Sequence, residues 1–226
     1  MSEKEKKERV LPSYTLGEEL FSSISHGIGA CLAVAGCVLL VVFAAIHGNA
    51  WSVVGGAVYG ATLIILYTMS TLYHAIVNKK AKYVFRVFDH TSIFLLIAGT
   101  YTPVTLVTLR NVNKPLAWTV FGIVWLVAVL GIVFNAVSIE KSKVFSMIAY
   151  IASGWAIVIG FRAFAAGIDR NGMILMVAGG AAYTVGIIFY AMKKIRYMHS
   201  VWHFFVLAGS ILQYFSILFY VIPLKG

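Results

Sequence analysis

The chain has 226 residues, of which 61% are hydrophobic and 12% are charged, and its mean hydropathy is +0.90. A soluble domain needs more polar surface than this, whereas long apolar stretches with few charges are typical of membrane spans. The net charge of +10 would suit a nucleic-acid-binding protein, but the basic residues lie in short loops between apolar segments, as in membrane proteins. We therefore expect an integral protein of the bilayer with no nucleic acid partner.

Seven apolar runs are each long enough to cross the hydrocarbon core as a helix, which takes about 20 residues. The first run exceeds the roughly 7–15 apolar residues of a signal peptide, so we expect it to remain as a permanent helix. The sequence predicts an all-α bundle of seven transmembrane helices over residues 22–46, 51–76, 85–108, 116–137, 143–165, 172–192 and 200–222. Residues 1–17 are expected to form a charged cytoplasmic tail, and residues 18–226 a single membrane domain.

Lys and Arg residues are distributed unequally between the two ends of these helices. When the loops are assigned alternately to the two sides, 13 of the 18 basic residues fall on the side of the N-terminus. Because cytoplasmic loops carry the excess of positive charge, this distribution predicts a cytoplasmic N-terminus and a C-terminus outside. That arrangement requires an odd number of spans, and the membrane we expect is the plasma membrane of the cell.

Polar and ionisable residues within the predicted spans are concentrated at four helix ends. Such residues are costly inside a bilayer, and by default they indicate function. With the N-terminus inside, the beginnings of spans one, three and seven and the end of span two all lie at the cytoplasmic face, so residues far apart in sequence share one depth. They are Glu18, Glu19, His26, Ser70, His74, Asp89, His90, His199 and His203.

The spacing of the histidines predicts a metal site. His199 and His203 are four residues apart and therefore lie on one face of a helix, and His74 can supply a third imidazole from another helix. Three histidines with an open fourth position are typical of catalytic zinc, and neutral imidazole tolerates burial. We expect these residues to bind Zn²⁺ near the cytoplasmic face. A proton relay through the same side chains is the alternative without a metal.

Other polar residues at this face would complete the site. Asp89 is expected to orient a water molecule and to accept its proton, and Ser70 to donate a hydrogen bond to a substrate oxygen or to bind this water. Glu19 and His26 are expected to order the ligands or to contact Asp89 and His90, although both could simply mark the start of a helix. For His90, a role of this kind and a role in helix packing both stay open.

Four segments of the chain resemble the haemolysin III family, the bacterial branch of the progestin and adipoQ receptor superfamily. They are residues 18–29 (EELFSSISHGIG), 70–74 (STLYH), 88–103 (FDHTSIFLLIAGTYTP) and 199–203 (HSVWH), and they occur in family order. The resemblance implies a seven-helix fold with a cytoplasmic N-terminus and a zinc ion near that face. It carries over the ligands His74, His199 and His203, with Asp89 and Ser70 beside them. The family usually has Asn where this chain has Ser22.

The site of this superfamily is similar to that of alkaline ceramidases. The resemblance therefore implies a zinc-dependent hydrolase of a lipid amide or ester, which would act on a membrane lipid and affect membrane lipid homeostasis. Two other functions stay open: a non-enzymatic sensor or receptor-like regulator in which zinc is structural, and a pore-forming cytolysin. Pore formers are usually secreted as soluble proteins, whereas this chain is apolar along most of its length, which argues against the cytolysin.

Overall fold

Seven helices within residues 11–192 and 194–223, the residues described in a computed structural model of the protein, are long and apolar enough to cross a membrane. They confirm the predicted all-α bundle. Residues 1–10 of the predicted tail, Lys193 and residues 224–226 lie outside the described residues. The spans are α1 (Leu16–His47), α2 (Ala50–Ala75), α3 (Lys79–Val112), α4 (Lys114–Val137), α5 (Lys143–Gly167), α6 (Arg170–Ala191) and α7 (Met198–Val221).

Helix α1 begins at Leu16, six residues before the predicted span. The additional turns are stabilised by a capping box. The Thr15 hydroxyl accepts a hydrogen bond from the Glu18 backbone N–H at 3.3 Å, and the Glu18 carboxylate accepts one from the Thr15 backbone N–H at 2.8 Å. This exchange satisfies backbone donors that a helix start otherwise leaves without a partner. Two carboxylates, Glu18 and Glu19, consequently project from the first turn of α1.

Close packing of α1 against α2 depends on small residues. A Cβ atom at Gly60 would lie 2.5 Å from the Cys37 sulfur, and one at Gly56 would touch Leu40. Glycine at these two positions, four residues apart, therefore lets the two helix backbones approach closely, which is the usual means of packing helices in lipid. The contact fixes α1 beside α2 along much of its length.

Helix α5 is interrupted in the middle, where the sequence predicts a continuous helix. A 3₁₀ segment, Ala156–Gly160, separates the α-helices Lys143–Gly154 and Phe161–Gly167. The Tyr101 hydroxyl of α3 fills the break: it donates a hydrogen bond to the Gly154 carbonyl at 2.8 Å and accepts one from the Ile157 N–H at 2.8 Å. Such irregular backbone is tolerated at membrane depth only where the protein itself satisfies the freed groups.

Helix α6 packs chiefly against α7 and only weakly against α5. Gly179 and Gly186 permit the close contact with α7, because a Cβ atom at either position would collide with Gln213 or Trp202. Across the opposite gap, the Trp155 indole N–H donates a hydrogen bond to the Thr184 hydroxyl at 3.0 Å. The bundle is therefore tight around α1, α2, α3 and α7 and looser between α5 and α6.

Candidate metal centre

Three histidines from two helices converge at one end of the bundle. The Nε2 atom of His199 lies 3.2 Å from Nε2 of His74 and 3.2 Å from Nε2 of His203, and one ring nitrogen from each residue falls within 4.8 Å of the other two. His74 comes from the last turn of α2, and the other two come from the first turns of α7. The structure thus brings together the three residues that the sequence singles out as metal ligands.

A neighbouring carboxylate fixes the orientation of the His74 ring. Its Nδ1 atom lies 2.7 Å from Oε2 of Glu19, and because a carboxylate accepts, Nδ1 carries the proton and Nε2 keeps its lone pair. The other oxygen of Glu19 lies 2.9 Å from the Lys82 ammonium group, which also donates to the carbonyl groups of His74 and Ile76. A carboxylate that orients a histidine in this way is typical of metal sites.

Two of the three separations between the ring nitrogens are close to those expected around a tetrahedral metal ion. Two nitrogens bound at about 2.0–2.1 Å in tetrahedral geometry are about 3.3 Å apart, close to the two separations of 3.2 Å observed here. Each nitrogen of a neutral imidazole carries either one N–H or one lone pair, so Nε2 of His199 cannot pair fully with both of its neighbours. At least two nitrogen lone pairs of the trio are then close together and repel each other. A cation at their centre removes that repulsion, and the donor set of three neutral imidazoles suits zinc.

Asp89 lies beside this trio but not within it. Its side chain is 14% exposed, and its Oδ2 atom is 3.5 Å from Nδ1 of His90. The hydroxyl of Ser70 on α2 faces the Asp89 carboxylate but is outside regular hydrogen-bonding geometry with any described residue. Asp89 and Ser70 both line the cavity beside the trio, and their roles as proton acceptor and polar neighbour stay predictions.

His90 is held by contacts with residues of α3, α5 and α6. Its Nδ1 atom lies 3.0 Å from the carbonyl oxygen of Arg86, and its Nε2 atom lies 3.4 Å from the Tyr190 hydroxyl. The Tyr150 hydroxyl donates a hydrogen bond to the His90 carbonyl at 2.7 Å. His90 therefore contacts Asp89 and also joins α3 to α5 and α6.

His26 lies behind one of the three converging rings. It stacks on His203 with ring centroids 3.8 Å apart and planes 22° apart, and the edge of Tyr67 meets it at 5.0 Å. Both ring nitrogens of His26 are buried without a hydrogen-bond partner among the described residues. Of the two roles expected from the sequence, this geometry matches the ordering of a ligand, because the close contact of His26 is with His203.

A long cavity of about 140 Å³ inside the bundle is bordered by Asp89 and by four histidines, His26, His90, His199 and His203. A single water molecule needs roughly 10–15 Å³ by this measure, so the cavity has room for a narrow chain or several waters. Along α7 it extends from His199 to Gln213, which corresponds to about 21 Å of helix. Most of the wall between these ends is apolar, and its members include Leu66, Ile93, Leu96, Ile97, Ile187 and Val206.

A tyrosine that the sequence analysis does not single out covers the outer side of the trio. Tyr14 precedes α1, and its ring stacks on His199 with centroids 4.8 Å apart and planes 23° apart. Burial raises the pKa of the Tyr14 phenol well above its ordinary value, with the nearby Tyr190 and Asp89 acting in the same direction, so the phenol is neutral. Lys82, which binds Glu19, is also not singled out by the sequence, because it lies in a short basic segment that resembles an ordinary loop.

Comparison with known proteins gives the chain a family. The model of the family described as "Haemolysin-III related" matches residues 14–214. Hemolysin-3 of Bacillus cereus is 41% identical over 206 residues, which cover 91% of this chain and 93% of that protein. The Hemolysin-3 homolog of Bacillus subtilis (strain 168) is 40% identical over 209 residues, which cover 92% of this chain and 97% of that protein.

The human monocyte to macrophage differentiation factor is more distant. It is 26% identical over 175 residues, which cover 75% of this chain and 71% of that protein. With this family match and its seven apolar spans, the chain belongs to the haemolysin III family of multi-pass membrane proteins.

Proposed function

We propose that this protein is a zinc-dependent hydrolase that cleaves an amide or ester bond of a membrane lipid, in the manner of a ceramidase. The observation that carries the proposal is a trio of converging imidazoles next to an apolar cavity about 21 Å long, with His199, His203 and the Asp89 carboxylate in the cavity wall. A lipid has the matching layout, with a polar bond next to a long apolar chain. The site belongs to the predicted cytoplasmic face of the plasma membrane, and the product would affect membrane lipid composition.

In this reaction the chain's own residues would orient the substrate and move a proton. When bound by His74, His199 and His203, zinc supplies Lewis acidity toward a carbonyl oxygen and lowers the pKa of water. Asp89, which is not one of the three, accepts the proton of the attacking water as a general base. The Ser70 hydroxyl, unpartnered among the described residues, is available to hydrogen-bond the substrate oxygen or the water.

The loose packing between α5 and α6 supports lateral entry of a lipid. Both helices line the cavity, and the Trp155–Thr184 hydrogen bond lies across the gap between them. The break in α5 is next to this position, with Gly154 and Trp155 in the cavity wall. An acyl chain that slides between the two helices from the bilayer would enter the cavity directly, and its polar end would then meet Asp89.

The direct test uses purified protein in lipid nanodiscs, loaded with zinc and given a short-chain ceramide and a matched ester. We expect the wild-type protein to release fatty acid. The Asp89→Ala variant should retain one zinc per chain and lose activity by about 10²–10⁴-fold, because general-base catalysis contributes an effect of that size. Full activity in the zinc-loaded Asp89→Ala variant would contradict the assigned role of this carboxylate.

A second candidate function is that of a membrane regulator in which zinc is structural. The contacts that join the three histidines to neighbouring helices favour it. Glu19 of α1 holds His74 of α2, and zinc would join that helix to α7. In a purely structural site, removal of zinc lowers the thermal stability, and neither lipid amides nor esters are consumed. Fatty acid release that depends on both zinc and Asp89 would exclude this alternative.

A further inference from the structure

One face of α1 carries a buried polar stripe that meets the beginning of α7. Glu18, Ser22 and His26 are spaced four residues apart, and they are 8%, 1% and 3% exposed. Residues at this spacing lie above one another on a helix surface. Polar side chains buried at membrane depth are costly, so a row of three requires specific partners.

The partners of these three residues are spaced three residues apart at the beginning of α7. Oε1 of Glu18 accepts a hydrogen bond from the Tyr197 N–H at 2.7 Å. The hydroxyl oxygens of Ser22 and Ser200 are 3.2 Å apart. The third pair is the stacked rings of His26 and His203. We call these three pairs the α1–α7 seam.

The first pair holds an unfavourable backbone conformation. Tyr197 has a φ of +65°, in the left-handed region, and among the described residues it is the one non-glycine residue with positive φ. It occupies the N-cap position of α7, and its side chain makes no capping hydrogen bond. Bulky residues rarely adopt this conformation. The bond from Tyr197 N–H to the Glu18 carboxylate is therefore the contact that stabilises this start of α7.

Space for this start of α7 is provided by Gly17. A Cβ atom at that position would lie 2.6 Å from the Tyr197 hydroxyl oxygen. Any larger residue at position 17 would therefore displace this phenol from its place beside α1. Gly17 and Glu18 thus act together at the same turn, one by leaving room and the other by accepting a hydrogen bond.

Two adjacent carboxylates of α1 therefore contact the two helices that carry the converging histidines. Glu19 binds the His74 ring on α2, and Glu18 binds the backbone that leads into α7. Successive residues of a helix point about 100° apart, which lets neighbours reach different helices. The first turn of α1 therefore lies between the α2 and α7 parts of the site and contacts both.

We propose that Glu18 is a positioning residue, which sets the place of α7 through Tyr197 and thereby the separation of His199 and His203 from His74. Ser22 and His26 extend the same contact along the seam. The inference rests on the proposed function only in taking the trio as metal ligands. It predicts that loss of the Glu18 contact weakens zinc binding although Glu18 touches none of the three rings.

The test compares Glu18→Gln with the wild type in two measurements. Zinc affinity, measured by competition with a chelator, should fall about tenfold, the lower end of what loss of an outer contact costs a metal site. In the metal-free protein, hydrogen exchange of the amides from Tyr197 to His203 should become faster. The control is Asn49→Ala, which removes the N-cap of α2 at the other end of the bundle and should leave zinc affinity within about twofold.

Separate outcomes decide the separate claims. Unchanged affinity and unchanged exchange in Glu18→Gln overturn the proposal, and so does a loss of affinity without faster exchange. If wild-type protein binds no zinc, the metal proposal fails, while hydrogen exchange in metal-free protein still decides the role of Glu18. Adding Tyr197→Gly to Glu18→Gln should restore much of the protection, because glycine adopts positive φ without strain. If Glu18→Gln fails to fold, Ser22→Ala provides a milder break of the same seam, with the same two readouts.

Discussion

The half of the bundle that carries the histidines and the half that faces them are built differently. On the first side, α1, α2 and α7 meet through charged and polar contacts, such as Glu19 with His74 and Glu18 with the Tyr197 backbone. On the second side, α5 is broken and α6 packs mainly on α7, with the Trp155–Thr184 hydrogen bond across the gap. The cavity lies between the two halves.

This difference matches two separate requirements of the proposed function. Metal ligands must be held within a few tenths of an ångström, and rigid helices braced by hydrogen bonds achieve that. A lipid-sized ligand must pass between helices, which a fully interlocked bundle would prevent. We therefore expect substitutions in the first half to act on metal binding, and substitutions in the second half to act on lipid entry and stability.

The largest effect is expected from His203→Ala in the first half. Removal of one of three ligands should weaken zinc binding by more than about 100-fold, beyond the range typical of outer contacts. Metal content after dialysis against a chelator measures this loss. His47→Ala is the control, since His47 ends α1 at the opposite side of the bundle; equal zinc loss in both variants would contradict the site.

A smaller effect is expected from Glu19→Gln. The amide still reaches His74 but can no longer accept as a charged group from both the ring and the Lys82 ammonium. Zinc affinity should fall by about 10- to 100-fold. Glu140→Gln provides the matched control, because Glu140 pairs with Arg86 away from the trio. Chelator competition on both variants measures the zinc affinity. An unchanged affinity in Glu19→Gln would show that the Glu19 carboxylate does not strengthen zinc binding by His74.

In the second half, Tyr101→Phe should destabilise the protein without changing its zinc affinity. Loss of the hydroxyl leaves the Gly154 carbonyl and the Ile157 N–H without their partner at the break in α5. An unsatisfied buried group costs about 1–3 kcal/mol. Thermal unfolding in detergent measures the change, with Tyr220→Phe as a control whose hydroxyl has no hydrogen bond to any described residue. Equal stability of both variants would mean that the break does not depend on Tyr101.

The smallest effect is expected from Trp155→Phe, which keeps the aromatic bulk and removes the hydrogen bond to Thr184. A hydrogen bond contributes about 0.5–1.5 kcal/mol, so a fluorescent fatty acid should enter the cavity about 2- to 10-fold faster. Trp118→Phe is the control, since Trp118 is 48% exposed at the outer surface. Slower or unchanged entry in Trp155→Phe would argue that lipids use another route.

Much of the first half was predictable because its signals are local and the topology is simple. His199 and His203 share a helix face by their spacing, and alternation of seven spans brings His74 to the same end. The capping box of Thr15 and Glu18 was also readable, because a Thr followed by Glu three residues later is a known helix start. The hydrophobic run of α1 begins after this capping box, and the predicted start of the first span was placed at that run.

The remaining features depend on contacts that the sequence does not encode locally. The break in α5 falls within an apolar stretch, and it is stabilised by Tyr101 from another helix, about 50 residues earlier. Lys82 sits among other lysines, and its contact with Glu19 appears only when α1 and α3 are placed together. The same is true of Tyr14 on His199 and of Glu18 on the Tyr197 backbone. Such pairings follow from packing and not from periodicity.

X-ray absorption at the zinc edge, on purified wild-type protein and the His74→Ala variant, tests the central claim most directly. The account predicts one zinc per wild-type chain with three imidazole nitrogens at about 2.0–2.1 Å, and little zinc retained in the variant. A wild-type protein without zinc, or a zinc that keeps the same coordination after His74 is replaced, would contradict it.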